Sequence, residues 1–176
     1  MRKYNITARS YDELYGEEQE RKYSLFINKV EKNIRNRIVL DLACGTGLLM
    51  KKLIKHAEYV IGIDISIEML KLVRRKAIDR DKYSLILADA ENIPLKNNIF
   101  NAVFAITIIQ NLSNLSKALK EIRRVIKSNG IIIISGLKRV INMENVKLAI
   151  INSNLKLKKI VEEDKDLILI LVKLNN

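Results

Sequence analysis

The chain has 176 residues, one cysteine and one histidine. This length suits a single domain with a substantial core. A lone cysteine excludes an internal disulfide and, with one histidine, argues against a structural zinc site. The formal net charge of +12 favours an anionic partner. No apolar run is long enough to cross a membrane and the first residues lack the apolar stretch of a signal peptide, so we expect a cytoplasmic protein.

We expect one domain over residues 1–176, in which an N-terminal lid and a first helix (residues 1–36) precede a ligand-binding core (residues 37–176). A charged helix is predicted over Glu17–Arg35 because apolar residues recur on one of its faces. These residues are Tyr23, Phe26, Ile27 and Val30.

Three of the six tyrosines fall before this predicted helix, at Tyr4, Tyr11 and Tyr15. Core packing does not require so many aromatic residues here, and the density favours a lid over a ligand. Anchoring of the first helix on a sheet through Tyr15 and Tyr23 is the alternative. Tyr11 is the preferred lid contact.

A short apolar strand over Arg37–Leu42 leads into a turn of small residues and then into an apolar helix over Leu48–Ile54. Gly45 and Gly47 in that turn allow a ligand to approach the backbone, because a Cβ would occupy the same space. Strand–turn–helix units of this kind bind nucleotide-type ligands.

This turn departs from the dinucleotide-binding pattern Gly-x-Gly-x-x-Gly. Ala43 takes the place of the first glycine, and no third glycine follows Gly47 at the required spacing. Asp41, at the end of the strand, suits a pyrophosphate poorly, whereas it can balance the charge of an ammonium group. The segment therefore favours a nucleotide-like ligand that carries a cationic amino group.

Two further strands end close to an acidic residue. The strand Val60–Asp64 ends in a carboxylate that can accept hydrogen bonds from both hydroxyls of a ribose, and the strand Ser84–Ala88 is followed by Asp89. Ser66 is predicted to cap the intervening helix. The apolar stripe of that helix is predicted to comprise Ile67, Leu70, Val73 and Ala77. Three strand-end carboxylates are the layout expected for a ligand that lies across an open α/β sheet.

The segment from Asp41 to Gly47 (Asp-Leu-Ala-Cys-Gly-Thr-Gly), together with Asp64 and Asp89, resembles the motifs of class I S-adenosylmethionine-dependent methyltransferases. The resemblance implies S-adenosyl-L-methionine as the cofactor, an adenine amine bound at Asp89 and a packing role for Cys44. It implies no metal. The cofactor-binding residues that it implies are Asp41, Ala43, Cys44, Gly45, Gly47, Asp64, Ile65, Met69, Asp89, Ala90 and Ile106.

The later part of the chain continues the alternation of strands and helices. The predicted strands are Phe100–Ile106, Ile131–Ser135, Leu155–Val161 and Leu167–Leu174, and the predicted helices are Leu112–Ile126 and Asn142–Ile151. Asn129 and Gly130 are predicted to end the first of these helices.

This alternation predicts an α/β fold of parallel strands with helices on both faces. The short connection Glu162–Asp166 demands a hairpin and therefore one antiparallel strand. Together with the resemblance, the pattern implies a doubly wound, seven-stranded, mostly parallel sheet with one antiparallel strand, which is the Rossmann-like methyltransferase fold.

No catalytic residue is assigned, because methyl transfer from a sulfonium needs positioning and electrostatics rather than a protein nucleophile. Residues 106–109 lack the Asn/Asp-Pro-Pro-Tyr/Phe tetrapeptide that family members acting on adenine amines or glutamine amides carry, which argues against that subclass. Gln110 and Asn111 are candidates for contact with the methyl acceptor, as is Tyr11. For Gln110 and Asn111, capping of the next helix is an equally weighted alternative.

Charge and compactness leave three functions open. The acceptor is predicted to be an RNA base or a protein of the translation apparatus, since the surplus charge is basic and no substrate-enclosing insertion is present. A small-molecule methyltransferase of the quinone or isoprenoid type and a cofactor-binding subunit that transfers nothing are the alternatives. The densest basic groups, within Lys71–Arg80 and Lys117–Lys127, are polar faces of amphipathic helices, so plain solvation of these faces competes with RNA binding.

The Ser84–Ala88 strand lies at a sheet edge in the implied strand order. Its centre is apolar, and only Asp81 and Lys82 guard one end. Exposed apolar edges are usually covered or blunted by charge. Some small methyltransferases of the resembled family are completed here by a small zinc-binding activator subunit, so we predict a partner at this edge. A short, harmless edge or pairing in a homodimer is the alternative.

Overall fold

The computed structural model describes residues 11–76 and 78–174. Tyr4 and Ala77 lie outside the described residues, and only the backbone is described at Tyr11 and Tyr15. Within the described ranges, no helix combines the length and the apolarity that crossing a membrane requires.

The chain divides into two compact units, residues 1–89 and residues 90–176. The first unit contains the helices α1 (Tyr11–Ile34), α2 (Leu48–Leu53) and α3 (Ile67–Arg75) and the strands β1 (Ile38–Leu42), β2 (Tyr59–Asp64) and β3 (Tyr83–Leu87). Strand β2 pairs in parallel with β1 on one side and with β3 on the other. The carboxyl ends of these three strands therefore lie along one edge.

The second unit contains β4 (Phe100–Ala105), α4 (Leu115–Val125), β5 (Ile126–Leu137), α5 (Met143–Asn152), β6 (Leu155–Glu163) and β7 (Asp166–Lys173). Strands β4 and β5 are parallel, whereas β7 is antiparallel to both β5 and β6. The predicted hairpin between the last two strands is confirmed, with its turn at Asp164–Lys165. The seven strands have the order β3-β2-β1-β4-β5-β7-β6, which confirms the predicted mostly parallel α/β sheet.

Helix α1 begins earlier than the sequence predicts. Its predicted apolar face is confirmed, since Tyr23, Phe26 and Val30 are buried. However, the helix starts at Tyr11, so Tyr11 and Tyr15 lie inside it and not in a segment before it. Strong helix formers surround Gly16, and a single glycine costs a helix only about 1 kcal/mol.

The boundary between α4 and β5 also differs from the prediction. The helix ends at Val125, and Ile126 already pairs with Phe100 as the first residue of β5. Asn129 and Gly130 therefore lie within the strand instead of ending a helix. A Cβ at Gly130 would collide with the side chain of Ile126, so close packing explains the glycine.

The stripe on α3 is confirmed in part. Leu70 and Val73 are buried, but Ile67 is 44% exposed. Ile67 is the first residue of the helix, and side chains point back toward the N-terminal end of a helix, beyond the part that packs on the sheet. Ser66 caps this helix as predicted, because its Oγ accepts a hydrogen bond from the amide of Met69 at 3.3 Å.

Candidate functional site

Two buried carboxylates lie at the carboxyl ends of neighbouring strands in the first unit. Asp41 is the last residue but one of β1, and its exposed fraction is 2%. Asp64 is the last residue of β2, and its exposed fraction is 8%. Aspartate is rarely buried unless it has partners, so each of these residues requires a physical explanation.

The carboxylate of Asp64 joins the turn after β1 to the start of α3. Its Oδ2 accepts a hydrogen bond from the Gly45 amide and its Oδ1 accepts one from the Ser66 amide, both at 2.8 Å. Burial raises the pKa of Asp64, while these backbone hydrogen bonds oppose the rise. Each oxygen has a second acceptor position, which leaves the carboxylate able to accept hydroxyl groups of a ligand.

The turn after β1 has an unusual backbone. Ala43, Gly45 and Gly47 have positive φ angles of 61°, 53° and 79°, and the Cys44 amide donates to the Ile63 carbonyl at 2.9 Å. A Cβ at Gly45 would meet nothing within 4 Å, whereas one at Gly47 would lie 3.0 Å from Val73. Gly45 therefore faces open space that a ligand can enter, and Gly47 is required by the packing of α3.

Asp41 has one side-chain oxygen that is not satisfied by a hydrogen bond. Its Oδ2 is buried and has no hydrogen-bond partner among the described residues, and a hydrogen bond from the Met50 backbone stabilises its charged form. Burial first, and the charge of Asp64 second, raise the pKa of Asp41 to about 8. A buried carboxylate oxygen without a hydrogen-bond partner lowers the stability of the folded state. A cationic ligand group bound to it would remove this loss of stability.

Cys44 is a packing residue, as predicted. It is buried, and burial together with the charges of Asp41 and Asp64 raises the pKa of its thiol well above the usual value. A Cβ at Gly62 would lie 2.7 Å from the Met50 sulfur and 3.2 Å from the Cys44 sulfur. Burial and a raised pKa both disfavour the thiolate, which makes Cys44 a poor nucleophile.

The other residues implied by the resemblance have different degrees of exposure. In the first unit, Met69 is 3% exposed and Ile65 is 43% exposed. Asp89, which follows β3, is exposed, unlike the two buried carboxylates. Ala90 and Ile106 are half-buried residues of the second unit. A contact of any of these five residues with the cofactor stays a prediction.

The residues of the first unit fit a cofactor with a cationic amino group and a ribose. The unpartnered Oδ2 of Asp41 would accept the ammonium, and Asp64 would accept the ribose hydroxyls. The open space at Gly45 admits the ligand to the backbone. Across the described ranges, no three His, Cys, Asp or Glu side chains are grouped so that they could hold a metal.

The acceptor candidates of the second unit, Gln110 and Asn111, both bond to the backbone of Thr107. The Gln110 amide donates to the Thr107 carbonyl at 2.9 Å and accepts from the Leu137 amide at 3.2 Å, and the Asn111 amide also donates to the Thr107 carbonyl, at 3.1 Å. The Gln110 side chain thus links the loop after β4 to β5, which favours a role in positioning this loop. Contact of Gln110 or Asn111 with an acceptor stays a prediction.

Thr107 is a residue that the sequence reasoning missed. Its φ is 57°, a conformation that costs a β-branched residue of the order of 1–3 kcal/mol and that clusters at functional sites. The Thr107 amide donates a hydrogen bond to the Ser135 hydroxyl at 2.8 Å, and this bond helps to hold Thr107 at its positive φ. No sequence signal marks a threonine for this conformation, because the strain arises from contacts with β5.

The sheet order and the strand-end carboxylates are those of the class I S-adenosylmethionine-dependent methyltransferases. The family model of a methyltransferase domain matches residues 40–134, more than half of the chain, and the chain belongs to this family. The predicted membership of a methyltransferase family is thereby confirmed.

Three relatives illustrate the similarity. Protein MJ1252 of Methanocaldococcus jannaschii is 34% identical over 152 residues (85% of this chain, 54% of the relative). The malonyl-[acyl-carrier protein] O-methyltransferase of Legionella pneumophila is 32% identical over 125 residues (70% and 44%). The demethylmenaquinone methyltransferase of Staphylococcus saprophyticus is 35% identical over 97 residues (53% and 42%). The chain spans about half the length of these curated relatives.

Solved structures share the fold at low sequence identity. An S-adenosyl-L-methionine-dependent methyltransferase from Methanococcus maripaludis superimposes with a TM-score of 0.83 at 18% identity, over 98% of this chain and 93% of that one. A methyltransferase of Haloferax volcanii in complex with the Trm112 activator has a TM-score of 0.72 at 16% identity, over 81% and 84% of the two chains.

Proposed function

We propose that this protein transfers the methyl group of S-adenosyl-L-methionine to an acceptor. The observation that carries the proposal is the buried Oδ2 of Asp41, which has no hydrogen-bond partner in the part of the chain that the structure describes and lies beside a second buried carboxylate, Asp64. A purely structural role does not explain why a fold would keep this costly group.

The bound cofactor supplies an activated methyl on a sulfonium, so the protein contributes binding and orientation. Asp41 binds the cationic amino group, Asp64 orients the ribose, and the glycine turn admits the ligand to the backbone. Holding the methyl donor in one geometry lowers the entropic part of the barrier to an in-line displacement.

Calorimetry of the purified protein tests the cofactor assignment. We expect S-adenosylhomocysteine, which keeps the amino group and the ribose, to bind with a single-site isotherm. NADH serves as the control, because its pyrophosphate has no suitable partner beside Asp41. Binding of NADH without binding of S-adenosylhomocysteine would contradict the proposal.

The proposed acceptor is an RNA base or a protein of the translation apparatus. The net charge of +12 supports this proposal, because a basic surface attracts the polyanionic RNA and components bound to it. The loop after β4 has Ile106-Thr107-Ile108 where family members acting on adenine amines have a polar tetrapeptide, so a different acceptor atom is proposed.

Methylation of a small molecule is the second candidate. The named relatives favour it, since one acts on demethylmenaquinone and another on malonyl-[acyl-carrier protein]. An apolar acceptor of the quinone or isoprenoid type would suit the exposed apolar side chains of the first unit, which include Ile65 and Leu87.

One labelling experiment separates these candidates. RNA, protein and metabolite fractions from a deletion strain are incubated with the protein and the radiolabelled cofactor. Label in RNA or in a ribosomal protein supports the first proposal, and label in metabolites alone supports the second. Cofactor binding without label in any fraction supports the third reading, a subunit that binds the cofactor and transfers nothing.

We also propose a partner subunit at the β3 edge. Strand β3 ends the sheet order, and near its carboxyl end Leu87 is 55% exposed, while Ile65 and Ile67 are 43% and 44% exposed. Three exposed apolar side chains beside a free strand edge invite pairing with another chain. The similar Haloferax volcanii methyltransferase was solved with the Trm112 activator, which supports an activator subunit as the occupant.

Light scattering and activity measurements with and without such an activator test this proposal. We expect the chain alone to associate or to be weakly active, and the activator to restore a defined, active complex. Leu87→Lys should prevent complex formation, whereas Lys82→Gln on the same edge should not. A fully active monomer that tolerates Leu87→Lys would contradict the proposal.

A further inference from the structure

The turn after β4 contains a backbone conformation that its residue type does not favour. Thr107 has a φ of 57°, in the left-handed region that a β-branched residue rarely adopts. Glycine apart, most other residues with a positive φ in the described ranges are asparagine or aspartate, which tolerate this region. These other residues are Asn36, Ala43, Asn98, Asn154 and Asp164. No second β-branched residue of the described ranges shares the conformation, so Thr107 requires its own explanation.

Hydrogen bonds fix both backbone groups of Thr107. Its amide donates to the Ser135 hydroxyl at 2.8 Å. Its carbonyl accepts from the side-chain amides of Gln110 at 2.9 Å and Asn111 at 3.1 Å. A strained backbone persists only where its surroundings hold it in this way. Side chains of β5 and of the loop itself therefore keep one threonine in an unfavourable conformation.

Strand β5 has space for this loop to pack against it. The Gln110 Oε1 accepts the Leu137 amide at 3.2 Å, which ties the loop to the strand. A Cβ at Gly136 would lie 2.7 Å from Gln110 Oε1 and 2.8 Å from the Cβ of Ile109. The glycine is thus required for the close approach of the loop. The conformation of Thr107 is set by β5 and not by the residues next to it in the chain.

Thr107 stands at a position where a ligand is expected. It lies two residues beyond the carboxyl end of β4, and open α/β sheets bind ligands at the carboxyl ends of their strands. Thr107 is half-buried, whereas Ile108 and Ile109 after it are buried. Glycine or asparagine would adopt the same φ at a lower cost. The backbone alone therefore does not explain the threonine, and a role of its side chain does.

We propose that the Thr107 hydroxyl contacts the methyl acceptor and that Ser135 is a positioning residue that holds Thr107 in place. The inference deepens the proposed function and rests on it. A hydroxyl can donate one hydrogen bond and accept two. When it is held rigidly in a site, it disfavours any acceptor that leaves it unsatisfied. Thr107 therefore gives specificity for an acceptor with a polar atom near the methylated one.

Steady-state methyl transfer by the full chain tests this proposal. The donor is tritiated S-adenosyl-L-methionine, and the acceptor is the fraction of a deletion-strain extract (RNA, protein or metabolites) that the wild type labels. Thr107→Val keeps the shape and removes the hydroxyl, so transfer at limiting acceptor should fall about tenfold, the loss of one hydrogen bond. Thr107→Ser should retain most of the wild-type rate. The affinity for S-adenosylhomocysteine, measured by calorimetry, should be unchanged in both variants.

Two glycine variants separate the side chain from the backbone. Thr107→Gly allows the same φ without strain, and its transfer should fall as in Thr107→Val. Asn154→Gly is the matched control, because it makes the same change at a φ of 50° in the connection before β6. It should leave transfer unchanged, and urea unfolding checks that each variant folds. Wild-type transfer by Thr107→Val, equal losses in both glycine variants, or loss of S-adenosylhomocysteine affinity in Thr107→Val would each overturn the proposal.

The positioning role of Ser135 has a separate test. Ser135→Ala removes the hydroxyl that accepts the Thr107 amide and should lower transfer about threefold. Added to Thr107→Val, it should cause no further loss, because a positioning residue acts through the group that it holds. Additive losses would overturn this role.

Failure of this inference is distinct from failure of the proposed function. A wild type that labels no fraction would contradict both. A wild type that transfers methyl groups while the Thr107 variants transfer them equally well would contradict the inference alone.

Discussion

The two units of this protein use charged side chains in opposite ways. In the first unit, Asp41 and Asp64 are buried side by side, and one oxygen of Asp41 has no partner. In the second unit, Arg124 donates to five acceptor atoms of its own unit, including both oxygens of Glu121. The first arrangement lowers the stability of the free protein, and the second raises it.

This difference separates groups kept for a ligand from groups kept for the fold. A buried carboxylate that is not fully paired is retained against its cost, and it lies where the cofactor is expected. A guanidinium that is fully used in hydrogen bonds holds a loop in place. Incomplete pairing, more than charge itself, marks the functional residues.

The largest expected effect is on stability against pH. The pKa of Asp41 is raised from 3.8 to about 8, so the folded state binds a proton that the unfolded state has lost. Stability is therefore highest below about pH 4 for this group and falls as pH rises to 8, by about 3 kcal/mol between pH 6 and 9. Urea unfolding at both pH values measures it.

Asp41→Asn is the control for this effect, because it keeps the shape and removes the titration. The variant should lose most of the pH dependence and should be more stable than the wild type at pH 9. Calorimetry should also show that S-adenosylhomocysteine releases protons when it binds below pH 8. If the stability of the variant and of the wild type depended on pH in the same way, the role given to the buried Asp41 in the first unit would be contradicted.

A stability loss of about 2 kcal/mol is expected for Arg124→Ala, since the carbonyls of Ile93 and Leu95 and the Glu121 carboxylate lose charged hydrogen bonds. Arg124→Lys should recover less than half of it, because an ammonium cannot span these acceptors. Thermal or urea unfolding measures both. Arg75→Ala, at an exposed cation of α3, should stay within about 0.5 kcal/mol. A neutral Arg124→Ala would break the second side of the comparison.

Asp64→Ala should weaken binding of S-adenosylhomocysteine at least tenfold, which corresponds to about 1.4 kcal/mol. It removes the ribose acceptor and also the hydrogen bonds that hold the Gly45 and Ser66 amides at 2.8 Å. Asp81→Ala, at an exposed carboxylate of the same unit, is the matched control and should not change the affinity measured by calorimetry. Equal affinity in both variants would contradict the assignment of the site.

The smallest effects concern two glycines of the first unit. Gly62→Ala should destabilise the protein by about 1 kcal/mol, because its Cβ must displace the flexible Met50 and the Leu85 side chain. Gly16→Ala in α1, where a Cβ meets nothing within 4 Å, should stabilise it by about 0.5 kcal/mol. Urea denaturation of both variants sharpens the comparison by separating packing from charge. If both substitutions changed the free energy of unfolding in the same direction, the contacts around these two glycines would not decide the effect of the added Cβ.

Much of the fold was predictable because its pattern is local. Short apolar runs that end in Asp64 or precede Asp89 predicted strands, and Ser66 predicted a helix start that the structure confirms. The start of α1 and the boundary at Ile126 were wrong by several residues. Helix formers continue on both sides of Gly16, and Ile126 is drawn into β5 by pairing with Phe100, which no local pattern reveals.

The site was predictable as far as it depends on backbone and residue type. The sequence placed Asp41, Asp64 and the glycine turn together, because parallel strands bring their carboxyl ends to one edge. It did not reveal that the Gln110 amide joins its own loop to Leu137 of β5, or that Thr107 is held at a positive φ. These features depend on contacts with β5, which is distant along the chain.

The sequence by itself determined the family of the protein and the residues at the strand ends, since these follow from short motifs and from the periodicity of apolar residues. Only the tertiary structure decided that Asp41 keeps an oxygen without a partner among the described residues and that Arg124 donates its hydrogen bonds within its own unit. It also decided that Lys120 and Lys173 line one cavity. Hydrogen-bond pairing and desolvation depend on neighbours from other elements. The same residue type is therefore a stabilising group in one unit and a ligand-binding group in the other.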